Sequence, residues 1–209
     1  MFQVYATPGW GSVFPEALLA LGGLPYRRID VDTRNKPADR AKLAAVNPLV
    51  QLPTIVTPDG SVMTESGAMG LYIAECAPAG LLAPPPGDKL RAAYLRWQIF
   101  LVANVYASYM IDDAPARWAD GEAGQAAIKQ RADALRKQHL LPIVESSAGA
   151  PWFLGERFTT LDVFVSIMTR WSPRREWYRD NCPKLHAISL AVDALPALKE
   201  IWRYNFGDA

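Results

Sequence analysis

What most constrains this chain is a break at residues 77–88, APAGLLAPPPGD, where four prolines and two glycines fall together. Proline lacks a backbone N–H and fixes φ, and glycine is conformationally loose, so neither a helix nor a paired strand runs through such a segment. The two sides of the break differ in texture. Before it, short apolar runs alternate with turn residues; after it, apolar residues recur at helical spacing over long stretches with no strand pattern. The chain is therefore expected to divide into a mixed α/β unit over residues 1–78, a linker over residues 79–87 and an all-helical unit over residues 88–209.

In the first unit, residues 2–5 read as a strand, 12–21 as a helix and 26–31 as a second strand. A polar stretch then holds a short helix ending near Val46, because the residue before Pro48 is biased away from helical backbone. Residues 53–57 and 61–64 flank Pro58-Asp59-Gly60, a turn of the kind that joins antiparallel strands. Residues 65–76 return to helix periodicity, which completes the order βαβαββα. In the second unit the pattern predicts helices over residues 88–111, 122–146, 159–171 and 183–202, the last broken at Leu195-Pro196. Thr159 is placed to cap the third of these, with Asp162 reaching back to the Thr159 N–H in a capping box.

Charge and composition exclude several classes. With 22 basic against 21 acidic side chains among 209 residues, no polyanion-binding surface is indicated, so nucleic acid is not expected as a partner. Cys76 and Cys182 form no CxxC or metal-ligand spacing, and His139 and His186 make no cluster, so no metal is expected. Both cysteines read as buried or inert thiols in a reducing compartment. The opening Met1-Phe2-Gln3-Val4 carries no secretory leader pattern, and residues 97–111, WQIFLVANVYASYMI, are too few to span a bilayer. A cytoplasmic protein without a membrane segment is expected.

Four motifs carry a resemblance. They are NPLVQLPTI at residues 47–55, Thr64-Glu65-Ser66-Gly67-Ala68, Phe158-Thr159-Thr160-Leu161-Asp162 and DALPALKEIW near the end. With the element order, they resemble the glutathione S-transferase superfamily over essentially the whole chain. The resemblance implies a thioredoxin-like N-terminal domain, an all-helical bundle after it, glutathione as co-substrate and a homodimer. It implies a cis Leu52-Pro53 bond that turns the Leu52 backbone outward to an extended peptide, with Gln51, Leu52, Pro53, Glu65 and Ser66 forming the glutathione site. Ser66, at a helix start, would take the γ-glutamyl carboxylate, and Glu65 would meet the ligand's amine. Read locally, Thr64 or Glu65 also suits a plain helix cap. Lys36, with Arg34 and Arg40 beside it, is the candidate for the glycine carboxylate.

The remaining candidates lie in the first loop, YATPGWGSVF at residues 5–14. Pro8-Gly9-Trp10-Gly11-Ser12 resembles the Pro-Gly-Ala-Cys-Ser loop of bacterial members, which puts Gly11 where those proteins carry a cysteine. Thiol-disulfide chemistry then lacks its nucleophile. A hydroxyl donor near the positive end of the first helix would instead stabilise the glutathione thiolate, with Ser12 ranked first, Tyr5 second and Thr7 third. Ser12 equally suits an N-cap, and a strand tyrosine equally suits the core. Trp10, Tyr106, Tyr109 and Met110 are candidates for the acceptor wall, although aromatics at helical spacing also suit a core. The implied function is conjugation of glutathione to a small hydrophobic electrophile, or displacement of a leaving group from it, as in detoxification. The alternative is a non-catalytic glutathione-binding or regulatory protein, which Gly11 favours.

Overall fold

The computed structural model describes residues 1–207. The first unit runs β1 (Phe2–Ala6), α1 (Val13–Leu21), β2 (Tyr26–Asp30), α2 (Pro37–Ala44), β3 (Thr54–Val56), β4 (Val62–Met63) and α3 (Ser66–Cys76). The strands form one sheet in the order β2-β1-β3-β4. β1 pairs parallel with β2, Phe2 opposite Tyr26, and antiparallel with β3, Val4 opposite Ile55. Strand parity divides the β1 side chains between two layers. Phe2, Val4 and Ala6 enter the main core with α1 and α3, whereas Tyr5 packs on the other side with Val31 and Leu43 of α2.

The second unit is helical but more segmented than its periodicity predicts. The stretch expected as one helix over residues 88–111 is α4 (Arg91–Phe100), a π-helical segment Leu101–Tyr106 and α5 (Ala107–Asp113). The next is α6 (Gly121–Leu135), a second π segment Arg136–Leu140 and α7 (Leu141–Ser147). Pro142 supplies a reason for the latter: with no N–H to donate, it disrupts the regular ladder, and the wider turn comes just before it. Then follow α8 (Thr160–Met168), α9 (Arg175–Asn181), α10 (Pro183–Asp193) and α11 (Lys199–Phe206). The short α9, REWYRDN, was not expected; it is mostly polar and buries only Tyr178, so it leaves no apolar period to read.

α8 lies at the centre of this unit, and all its residues are buried. Its start is the capping box: Asp162 accepts from the Thr159 N–H at 2.7 Å, and the Thr159 hydroxyl accepts from the Leu161 N–H at 3.3 Å. The same carboxylate accepts from the Phe153 N–H at 2.6 Å, which fixes the loop ahead of the helix.

The two units are joined by more than the linker. Phe14 of α1 meets Phe164 of α8 edge to face with centroids 4.6 Å apart. The Thr160 N–H donates to the Leu82 carbonyl at 2.8 Å. From α11, Asn205 accepts from the Gly9 N–H at 3.3 Å and donates to Glu16 of α1 at 3.2 Å, while Glu16 is also paired with Arg28. Among the described residues, no helix is long and apolar enough to cross a membrane.

Candidate active site

A cleft of about 1080 Å³ opens between the two units. Its walls are the first loop, the loop from Asn47 to Pro53, the start of α3, the first π segment with α5, and the segment from Arg170 to Arg174. Asn47 and Thr54 shape the second of these walls from beneath. The Asn47 amide donates to the Gln51 carbonyl at 3.1 Å and to the Thr54 hydroxyl at 3.0 Å, and Thr54 donates to the same carbonyl at 2.7 Å. The Leu52-Pro53 peptide is cis. Leu52 lies just outside β3, and its N–H and C=O make no hydrogen bond among the described residues.

The start of α3 faces the same space. Ser66 is buried yet lines the cleft, and its hydroxyl makes no hydrogen bond to a described residue. The N-cap position is Glu65, with φ +66° and no side-chain cap, so the first N–H groups of α3 are left open. Thr64 and Glu65 therefore do not cap the helix through their side chains. The three non-glycine residues with positive φ are Val50, Glu65 and Arg174, and all three line this cleft. Each such conformation costs about 1–3 kcal/mol, and its concentration in one place marks a functional surface rather than scattered irregularity.

The three hydroxyls put forward from the first loop lie elsewhere. Ser12 is fully buried, accepting from the Thr7 N–H and donating to the Thr7 carbonyl, both at 3.2 Å. It stands at the N-cap of α1 but does not cap it by side chain; it closes the loop on itself. Thr7 donates its hydroxyl to the Val31 carbonyl at 2.5 Å. Tyr5 lies under α2, as strand parity requires. None of the three lines the cleft.

Of the other expected residues, Gln51, Leu52, Pro53, Glu65 and Ser66 all line the cleft. Lys36 does not: it is exposed at the N-cap of α2, and Arg34 and Arg40 are the cations of that stretch that face the cavity. Trp10 lines it beneath the Arg34 guanidinium, 4.4 Å from the ring centroid. Met110 is an exposed part of the wall. Tyr109 touches the wall but belongs to the core: its hydroxyl lies 3.2 Å from that of Tyr178, Arg136 covers its ring, and burial pushes its phenol up to about 12. Tyr106 lines the cleft with its ring stacked on Trp171 at 5.4 Å and 18°.

Several lining residues escaped the sequence pattern. Arg117, Arg170, Trp171 and Arg174 come from the end of a helix and from irregular segments, where no period reports which way a side chain points. Asp113 also lines the cleft; burial raises its carboxyl, against the opposing charge of Arg34.

The two cysteines differ from the expectation in one respect. Cys182 is buried, and burial pushes its thiol up to about 12, but Cys76 at the end of α3 is exposed. Titration of the native protein with an aromatic disulfide is therefore expected to modify one thiol per chain quickly, and the second only after unfolding. Two fast thiols would contradict the packing around Cys182. Among the described residues, no group of three or more His, Cys, Asp or Glu side chains converges to hold a metal ion.

A four-stranded mixed sheet flanked by helices, an all-helical second unit and a cleft between them ending on an open helix start define a class of protein. The family model for the glutathione S-transferase N-terminal domain matches residues 16–76. The chain belongs to the glutathione S-transferase family. It is 35% identical over 206 residues to the uncharacterized GST-like protein YncG of Escherichia coli (strain K12), covering 98% of each chain. Among solved structures it is similar to a glutathione transferase homologue from sulfitobacter with bound glutathione, at 24% identity, TM-score 0.81 and 96% of each chain covered. It is also similar to a sphingomonad glutathione S-transferase complexed with glutathione, at 25% identity and TM-score 0.75, with 95% of this chain and 96% of that one covered. The thioredoxin-like sheet followed by a helical bundle is the fold these structures share.

Proposed function

We propose that the protein is a glutathione transferase, binding glutathione along Leu52 and the start of α3 and transferring its sulfur to a small electrophile held near Trp10, Tyr106 and Met110. The observation that carries this reading is the unpaired Leu52 N–H and C=O in the same cleft as the open N-terminus of α3. An extended peptide is recognised by such a free backbone pair, and a carboxylate by a helix start carrying a free hydroxyl. Glutathione offers both, the cysteinyl backbone to Leu52 and the γ-glutamyl carboxylate to Ser66. Glu65 is then available to the ligand's amine, and Arg34 or Arg40 to the glycine carboxylate.

In the reaction the thiol gives its proton to solvent and a sulfur lone pair forms the S–C bond. The leaving group departs with the electrons of its bond to carbon; in an addition, the carbon that receives the electron pair is protonated by water. The same reading makes the protein a cytoplasmic homodimer, supported by Leu95 and Ile99, exposed one turn apart on α4.

Thermal unfolding with millimolar glutathione tests the reading. At a hundredfold excess over Kd the native state gains about 2.7 kcal/mol, and Tm is expected to rise by roughly 5–10 °C for a chain of this size. Ser66→Ala is expected to weaken binding about tenfold, as loss of a hydrogen bond to a charged group would. No thermal shift in the unmodified protein would remove glutathione from the account. A second reading, a glutathione holder without catalysis, is favoured by the engagement of Ser12 and Thr7 within the protein. Binding without any lowering of the thiol pKa would select it.

A further inference from the structure

Gly11 has no side chain, yet the space above its Cα is filled. A Cβ at this position would lie 1.9 Å from the Tyr106 hydroxyl oxygen, 2.9 Å from its Cζ and 3.3 Å from Pro53 Cδ. The hydroxyl thus stands where a side chain of residue 11 would begin, at the edge shared by the first loop and the Pro53 turn. It makes no hydrogen bond among the described residues, although the neighbouring Ser12 and Thr7 hydroxyls are both engaged. Glycine is required by this close approach.

The tyrosine is held firmly in that place. Tyr106 ends the first π segment, stacks on Trp171 and meets Phe164 edge to face at 5.7 Å. Trp171 in turn donates its Nε1–H to the Gly9 carbonyl at 2.9 Å, so the ring's support is tied to the loop its hydroxyl covers. A donor fixed before the reaction needs no reorganisation when charge develops, and in a partly desolvated cleft it counts for more than in water. Burial raises the phenol well above its ordinary range, so its proton stays on oxygen, ready to donate.

We propose that the Tyr106 hydroxyl is the catalytic hydrogen-bond donor to the glutathione sulfur, delivered from the helical unit through the gap that Gly11 leaves in the first loop. This rests on the glutathione reading above: a cysteinyl residue paired on Leu52 carries its thiol toward the Gly11 and Pro53 edge. The glutathione S–H gives its proton to solvent, and the Tyr106 O–H remains on tyrosine while donating to the thiolate. Tyr106 thereby supplies the hydroxyl that the first loop does not present.

The test is a titration of glutathione bound to the unmodified protein, Tyr106→Phe and Gly11→Ala, following thiolate absorbance in the ultraviolet, with turnover on an activated aryl halide. In Tyr106→Phe the bound thiol pKa is expected to rise by about 1–2 units, and kcat/KM to fall about a hundredfold. Glutathione affinity at a pH where the thiol is neutral should change less than about threefold, since one hydrogen bond to the neutral form is a small term. Tm should not fall, because the missing hydroxyl has no partner in the protein. Gly11→Ala should move the thiol pKa the same way by displacing the hydroxyl. An unchanged thiol pKa in Tyr106→Phe would assign activation to the backbone amides at the start of α1 and overturn the proposal while leaving glutathione binding intact. Lost turnover with an unchanged thiol pKa would place Tyr106 on the acceptor and overturn it too. An unmodified protein that binds glutathione without depressing its pKa also overturns it, and one that binds none overturns both readings.

Discussion

Asp162→Ala is expected to lower the unfolding free energy by about 3–4 kcal/mol and Tm by roughly 10 °C. The carboxylate is completely buried and accepts from the Phe153 N–H, the Thr159 N–H and, at 3.2 Å, the Thr159 hydroxyl. Alanine leaves two buried N–H groups without an acceptor, each costing about 1–3 kcal/mol, and dissolves one half of the capping box. Neighbouring groups cannot easily repair this, because every residue of α8 is buried among other elements. The damage spreads for the same reason: α8 packs against α1, α4 and α10, so it supports both units at once. Asp162→Asn keeps one acceptor but aims an amide N–H₂ at a donor, and should lose about half as much. Denaturant unfolding measures both; a loss under about 1 kcal/mol for alanine would mean that the box is not what anchors the helix.

Trp171→Ala is expected to cost about 3 kcal/mol in stability, the lower end for a large aromatic because the side chain is only partly buried. Its effect on turnover should be larger than its effect on glutathione affinity. The indole stacks on Tyr106, meets Tyr109 edge to face at 5.2 Å and bonds the Gly9 carbonyl, so its removal frees the Tyr106 ring and the first loop together. A displacement of about 1 Å at a reacting centre can cost a hundredfold, and a fall of roughly 10- to 100-fold in kcat/KM is expected. Trp171→Phe keeps the stack and loses only the N–H donor, with a stability loss of about 1 kcal/mol and a smaller kinetic effect. Steady-state kinetics over both substrates, beside equilibrium unfolding, separate the two roles. Full activity in Trp171→Ala would show that Tyr106 is positioned by something else.

Much of the glutathione side of the cleft was legible before the fold was seen. Gln51, Leu52, Pro53, Glu65 and Ser66 sit on two motifs whose character is local, a loop before a strand and a helix start after a hairpin, and they line one cavity. The opposite wall was not legible. Trp171 and Arg174 follow α8 in an irregular stretch, and the two π segments interrupt long periods that read as unbroken helices. Lys36 and Arg34 are separated by a single residue in a polar run, and only Arg34 faces the cleft. No periodicity distinguishes neighbours of that kind.

By itself the sequence determined the order of strands and helices, the division at the proline-rich segment, the capping box of α8 and the missing side chain at Gly11. These follow from spacing, turn chemistry and residue identity, which act over a few positions. Only the tertiary structure decided which hydroxyl faces the space left by that glycine. Ser12, adjacent in sequence, turns inward to close its own loop, while Tyr106 arrives from the other unit, carried by a π segment and braced by Trp171. A donor's availability depends on what has already claimed its hydrogen bond and on what packs behind it, and both are settled by contacts between residues far apart in the chain.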